Sequence, residues 1–293
     1  MDASRAVRAP TLVRLLIIVS AVALLWPTSV LAARPLPSSM ASTGDSITRA
    51  FNTCWFPFMD CVANSWSTGT STTVQSHYLR IRAGNATING RNWNHAKSGA
   101  KMADLPGQMT ATSGRNPEYV TVQMGGNDVC TPSTATMTSV ESYTASFTQA
   151  MNTITANPAV TTVYVTSVPD AYRLWELFRD NSSARSAWSR FNVCQSLLAN
   201  PTSFADADVA RRNEVRARNV ALNDALEDVC ALYAQCAWDG WNSFCTSFTT
   251  ADVTTRDYFH PSVAGQKKLA DVSWRAGPFV AAPSPYLGAD CVP

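Results

Sequence analysis

No sign of charge dominates this sequence. Its 23 Lys and Arg against 21 Asp and Glu leave a formal net charge of +2 over 293 residues. The first 32 residues hold Arg5, Arg8 and Arg14 against Asp2, so beyond them the balance is 2 − 2 = 0. Net charge therefore implies no basic surface and argues against nucleic acid as a partner. Histidine is scarce, with three in all. Cys-x-x-Cys spacing is missing as well, which argues against a zinc site. The lack of Gly-x-Ser-x-Gly argues against the strained nucleophile elbow of α/β-hydrolases. No Walker or dinucleotide-binding glycine loop occurs either. Charged residues make up 15% and hydrophobic residues 46%, without a low-complexity tract. Such a chain is long and apolar enough for one sizeable core and is not built like a disordered one.

What is present begins with a leader. Residues 1–32 read as a secretory signal peptide, with an arginine-bearing start and an apolar run, Leu15 to Trp26, too short to span a bilayer comfortably. Val30-Leu31-Ala32 suits cleavage after Ala32. No cysteine lies near that cut, so neither a lipid anchor nor any stable membrane anchor is expected. The expected product is a secreted, extracellular monomer formed by one domain over residues 33–293. Its eight cysteines are Cys54, Cys61, Cys130, Cys194, Cys230, Cys236, Cys245 and Cys291, which export turns into a disulfide set. Spacing alone does not choose among the possible pairings. Joining near neighbours first gives Cys54–Cys61 and Cys230–Cys236, leaving Cys130–Cys194 and Cys245–Cys291.

Strand and helix patterns alternate along the chain. Met40-Ala41-Ser42-Thr43 precedes Gly44-Asp45-Ser46 but lacks the Val/Ile/Leu run expected of a buried parallel strand; Asp45 or Ser46 is placed to cap a short helix from Ile47. Val74, Tyr78 and Ile81 suggest a helix over 73–82, and 85–96 a second strand. Tyr119 to Met124 is a clear strand, followed by an amphipathic helix carrying Met137, Val140, Tyr143, Phe147, Met151 and Ile154. Val160 to Val168 is a further strand, rich in β-branched residues and ended by Pro169. Helices are expected over 172–178, 184–198 and 206–233. A short strand over 236–239 and a last helix over 263–273, capped by Ser262, complete the pattern. Right-handed βαβ crossovers then give an α/β fold, a central parallel sheet with helices on both faces.

In such a sheet, ligands bind where loops leave the carboxyl ends of the strands. Three candidate strands run into small polar turns there: Gly44-Asp45-Ser46, Ser98-Gly99 and Gly125-Gly126-Asn127-Asp128. The fourth piece is Asp257-Tyr258-Phe259-His260, held outside the last helix by Pro261. A serine hydroxyl needs a neighbouring base to become a nucleophile. His260 is the natural base, since imidazole titrates near neutrality, and Asp257, three residues before it, can fix its tautomer. The Ser46 and Gly99 amides and the Asn127 side chain are candidate donors to a tetrahedral oxyanion. Each piece has a plainer reading. Ser46 can be a helix cap, Gly125 to Asp128 an Asx-turn, Asp257 a surface partner of Arg256, and His260 a turn residue. His77 reads as packed or solvated, and His95 is given no role. Trp55, Phe56, Tyr172 and Trp175 are candidates for an acyl pocket, although aromatics more often serve the core.

Taken together and in order, these four segments resemble the blocks of the SGNH/GDSL hydrolase family, over about Ser42 to Gly277. The resemblance implies Ser46 as nucleophile and first oxyanion donor, Gly99 as second and Asn127 as third, with Asp257 and His260 completing a triad. It also implies a flavodoxin-like three-layer sandwich and ester hydrolysis without a cofactor or metal. The polar approach to Gly44 departs from the apolar strand usual in that family. The expected activity is that of a serine esterase or lipase on a small-molecule or lipid ester. A carbohydrate O-acetylesterase using the same site is the alternative among enzymes. A non-catalytic secreted binding module is the alternative outside them, although no member of the site is missing, as a vestigial site would suggest.

Overall fold

A computed structural model of the chain describes residues 34–280 and residue 291. The expected leader over residues 1–32 lies outside these described residues. In chain order the elements are β1 (Met40–Gly44), α1 (His77–Gly84), β2 (Asn92–Asn94), α2 (Leu105–Ser113), β3 (Tyr119–Gln123), α3 (Gly126–Val129) and α4 (Val140–Thr155). They continue with β4 (Thr162–Val165), α5 (Ala171–Phe178), α6 (Ser182–Arg190), α7 (Gln195–Leu198), α8 (Asp206–Cys230), β5 (Cys236–Trp238) and α9 (Val263–Arg275). The strands form one sheet in the order β2-β1-β3-β4-β5, every neighbouring pair parallel. That is the flavodoxin-like order, whose direction of winding reverses at β1 and β3.

Residue alternation assigns the two faces of the sheet. Val120, Val122, Val163 and Val165 join Phe147 and Met151 of α4 and Leu222 and Leu226 of α8 in one core cluster. Met40, Tyr119 and Tyr164 join Tyr78 and Ile81 of α1 in another, while Leu269 and Ala270 of α9 pack with Trp66 and Val74. Each aliphatic or aromatic side chain buried in this way contributes about 1.5–3 kcal/mol over its exposed state. β1 is buried along its whole length without an aliphatic run. Its hydroxyls are satisfied by neighbours: Ser42 Oγ lies 3.1 Å from Thr68 Oγ1, and Thr43 Oγ1 donates to the Thr121 carbonyl at 3.2 Å.

Several boundaries move from those expected. The second strand shrinks to Asn92–Asn94 because the Asn85 side chain accepts from the Thr87 amide and starts a 3-10 turn over Ala86–Ile88. α1 begins at His77, where Ser76 caps it through the Leu79 amide. The helix expected over 184–198 is broken into α6 and α7 by left-handed backbone at Asn192 and Cys194. α2 and α3 occupy stretches where no helix was expected. Ser262 caps α9, as read from the sequence, by accepting from the Gly265 amide at 3.2 Å. The disulfides of the structure are Cys54–Cys61, Cys130–Cys194, Cys230–Cys236 and Cys245–Cys291. No helix among the described residues is long and apolar enough to cross a membrane.

Candidate active site

β1 ends in a turn that only glycine can make. Gly44 has φ +142°, and a Cβ there would come within 2.3 Å of the Gln123 carbonyl oxygen. The side chain of Gln108, on α2, grips this glycine from both sides, accepting from its amide at 2.8 Å and donating to its carbonyl at 2.9 Å. Asp45 Oδ1 then accepts from the Ile47 amide at 2.8 Å. The chain forms turns over 46–50 rather than the short helix expected from Ile47. Ser46 therefore projects from a clamped turn at the carboxyl edge of the sheet.

The second half of the site is a turn closed by an antiparallel bridge between Val253 and Pro261. The Thr254 amide donates to the His260 carbonyl at 2.9 Å, and Trp188 Nε1 donates to the Tyr258 carbonyl at 2.9 Å. Within it, Asp257 Oδ1 accepts from the amides of Phe259 (2.9 Å) and His260 (3.1 Å). Asp257 Oδ2 lies 2.8 Å from His260 Nδ1, and His260 Nε2 lies 2.8 Å from Ser46 Oγ. If Nδ1 carries the proton it donates to the carboxylate, and Nε2 is left to accept from the serine. Asp257 is buried, which opposes ionisation. Its hydrogen bonds and attraction to His260 outweigh that and hold the carboxyl below its ordinary pKa.

One member of this network carries no mark in the sequence. Asn52, buried and in the left-handed region at φ +66°, donates through Nδ2 to Asp257 Oδ2 and accepts from the Phe58 amide at 2.6 Å. An asparagine in a loop reads as an ordinary turn residue, and nothing in its spacing points to Asp257. Gln108 is equally silent, being a polar residue on a helix that was not foreseen.

The other two predicted segments are tied to the end of β1 and to each other. The Lys97 amide donates to the Gly44 carbonyl at 3.1 Å, which holds the Ser98-Gly99 turn against β1. Asn127 Nδ2 donates to the Ala100 carbonyl at 2.9 Å, which ties α3 to the same turn and leaves its second hydrogen available. The Ser46 and Gly99 amides meet no protein acceptor among the described residues. The remaining histidines stand apart from Ser46. His77 is fully buried between the Tyr119 and Ser273 hydroxyls, 2.8 Å from each, and burial, helped by Arg80, pushes its pKa down to about 3. His95 donates its amide to the Ser42 carbonyl; burial and Arg115 lower its ring pKa.

Beside His260 lies a cavity of about 110 Å³ lined by Ile47, Val168, Leu174, Leu177, Phe248 and Phe259 among others. Its walls are mainly apolar. None of the four aromatics named for an acyl pocket lines this cavity: Trp175 is buried in the core, Tyr172 packs against the core, and Trp55 and Phe56 stand exposed on the surface. Leu174 and Leu177 of α5, three apart on one helical face, line the cavity.

Two buried carboxyls lie behind the serine. Burial pushes Asp45 up from 3.8 to about 7, and the nearby charge of Asp128 adds to the effect. Burial pushes Asp128, which accepts from the Met102 amide at 3.0 Å, up to about 6. A carboxyl held protonated by folding but ionised in the unfolded chain stabilises the fold fully below its unfolded pKa. That contribution falls as pH rises and is gone above the folded value. For Asp45 the window runs from about 4 to 7. Asp45→Asn is expected to flatten the fall of unfolding free energy over pH 4.5–7 by up to about 1.4 kcal/mol per pH unit. Denaturant titrations of both proteins across that range check this; identical slopes would mean that Asp45 is ionised when folded.

The model of the GDSL-like lipase/acylhydrolase family matches residues 43–268. No curated protein matches the sequence significantly. Among solved structures, the fold is similar to an extracellular lipase from Streptomyces rimosus, with 17% identity, a TM-score of 0.48, and coverage of 82% of this chain and 99% of that one. An acetyl-xylooligosaccharide esterase from Geobacillus is similar at 15% identity, a TM-score of 0.49, and 84% and 97% coverage. A family 3 carbohydrate esterase from Clostridium thermocellum is similar at 14% identity, a TM-score of 0.47, and 81% and 92% coverage. The family model spans most of the chain and includes all four motif segments. The chain belongs to the GDSL-like lipase/acylhydrolase family.

Proposed function

We propose that the protein is a secreted serine ester hydrolase that works through an acyl-enzyme on Ser46. The observation that carries this reading is the unbroken chain Ser46 Oγ to His260 Nε2 and His260 Nδ1 to Asp257 Oδ2, 2.8 Å at each link. In this reading, Ser46 Oγ attacks the ester carbonyl carbon while His260 Nε2 takes its proton, and Asp257 stabilises the imidazolium that forms. The Ser46 and Gly99 amides and Asn127 Nδ2 donate to the oxyanion; losing one such donor costs roughly 3–4 kcal/mol of transition-state stabilisation. The imidazolium returns its proton to the departing alkoxide, and water hydrolyses the acyl-enzyme with His260 again as base. Asn52 acts only through Asp257, as a positioning residue. No metal or cofactor is needed for any of these steps.

The cavity beside His260 is the natural place for the acyl chain. Its size and apolar walls favour short aliphatic acyl groups, each buried CH₂ adding about 0.8 kcal/mol. Secretion rests on the leader read over residues 1–32 together with the four disulfides. A panel of p-nitrophenyl esters of increasing chain length, run beside acetylated sugars, tests the substrate class. The expected result is a kcat/KM maximum at short acyl chains and weaker turnover of the sugar acetates. Preference for the sugar acetates would replace this reading with a carbohydrate O-acetylesterase. No turnover of any ester would replace it with a binding module.

A further inference from the structure

Nine large apolar side chains stand exposed among the described residues, and six of them belong to one region: Trp55, Phe56, Phe58, Met59, Val62 and Phe191. Four of these, Trp55 (89% exposed), Phe56 (67%), Phe58 (53%) and Met59 (45%), lie in the loop closed by Cys54–Cys61. Phe191, at the end of α6, meets Phe58 edge to face at 5.4 Å. Apolar surface concentrated in this way marks a place where something docks.

Part of the backbone beneath these rings is bonded from within. The Arg256 guanidinium donates to the carbonyls of Asn52 (3.1 Å), Trp55 (2.8 Å) and Phe56 (2.9 Å). The Asn52 amide donates to the Met59 carbonyl at 3.0 Å, and the Phe58 amide donates to the Asn52 side chain. Pro57 has no amide hydrogen to satisfy. These bonds and the disulfide fix the loop's shape from within. Charge points the same way. Arg190 lies over the Phe191 ring at 5.7 Å. Among the described residues, neither Arg190 nor Arg256 pairs with a carboxylate. The carboxylate of Asp60, the only one in the loop, is held by Arg49 and Ser98.

The geometry points to the Cys54–Cys61 loop with Phe191 as a docking surface for the anionic face of a lipid–water interface. Exposed Trp and Phe settle at headgroup depth, and arginine charge not offset by a carboxylate attracts anionic headgroups. The disulfide and the Arg256 contacts hold the loop in shape before it docks, so little ordering entropy is lost on binding. The loop also adjoins the site, since Asn52 touches both Phe58 and Asp257. Docking would hold the cleft where water-insoluble esters reside. It does not depend on the chemistry proposed for Ser46, so vesicle binding and ester turnover can fail separately.

The test is flotation of the protein without the leader, residues 33–293, with vesicles of ether-linked phosphatidylglycerol or phosphatidylcholine, which offer no carboxylic ester to cleave. The wild type is expected to float with the anionic vesicles, more weakly with the zwitterionic ones, and to lose anionic binding in high salt. Trp55→Ser with Phe56→Ser should weaken vesicle binding at least tenfold while turnover of a water-soluble p-nitrophenyl ester stays within twofold. Arg190→Gln should narrow the difference between the two lipids. Wild-type protein that floats with neither vesicle overturns the proposal, as does undiminished flotation of the double variant. Sedimentation of the wild type as a dimer that the double variant abolishes would assign the patch to a second copy instead. Binding to an insoluble polysaccharide without vesicle binding would assign it to carbohydrate.

Discussion

Ser46→Ala is expected to lower kcat for a chromogenic short-chain ester by a factor on the order of 10⁴ or more, with the protein still folded. The size of the effect follows from what the hydroxyl does in the proposed reaction. It is the attacking atom, and its contact with His260 Nε2 at 2.8 Å is the one that activates it. A factor of 10⁴ corresponds to about 5 kcal/mol of lost transition-state stabilisation. The fold has little at stake, because the clamp on this turn is made by Gly44, Gln108 and the Asp45 side chain. Kinetics and circular dichroism on the same sample check both halves. Turnover within tenfold of the wild type would remove Ser46 from the role given to it.

Asp257→Asn is expected to cost a comparable amount, about 10⁴ in kcat, for a reason visible in its partners. Four donors point at this carboxylate: the Phe259 and His260 amides, His260 Nδ1 and Asn52 Nδ2. Either orientation of an asparagine amide therefore turns its NH₂ group against at least one donor. If the NH₂ replaces Oδ2, it forces His260 to accept at Nδ1 and to carry its proton on Nε2, where it can no longer take the serine proton. If it replaces Oδ1, the conflict moves to the two backbone amides that shape the turn. KM is expected to change little, because Asp257 reaches the substrate only through His260. A kcat within tenfold of the wild type would mean that His260 is oriented by something other than Asp257.

The parts of this structure legible in the sequence are those governed by local rules. Val120 and Val122 in β3, the periodic apolar residues of α4 and the Ser262 cap of α9 each carry their own signal, and the fold keeps them. Asp257 and His260 were readable for the same reason, being three residues apart in one turn. β1 was hard to read because its burial depends on partners far along the chain. The hydroxyls of Ser42 and Thr43 are satisfied by Thr68 and Thr121, a solution that no window around residue 42 contains. Asn52 and Gln108 were invisible for the related reason that each acts across 205 and 64 positions of sequence, respectively. The aromatics at 55 and 56 carried a signal that pointed to the wrong place. Their number suggested a pocket, whereas the disulfide and Arg256 hold them outside it.

The central claim is that Ser46 is the residue that becomes acylated. Incubation with a fluorophosphonate ester, followed by intact-mass measurement and peptide mapping, tests it directly, since attack by an activated serine expels fluoride and leaves a stable phosphonyl ester. The account predicts one adduct per chain, on the peptide containing Ser46, and a much slower reaction in His260→Ala. An adduct on any other residue, or an unmodified Ser46 in protein that turns over esters, would contradict it.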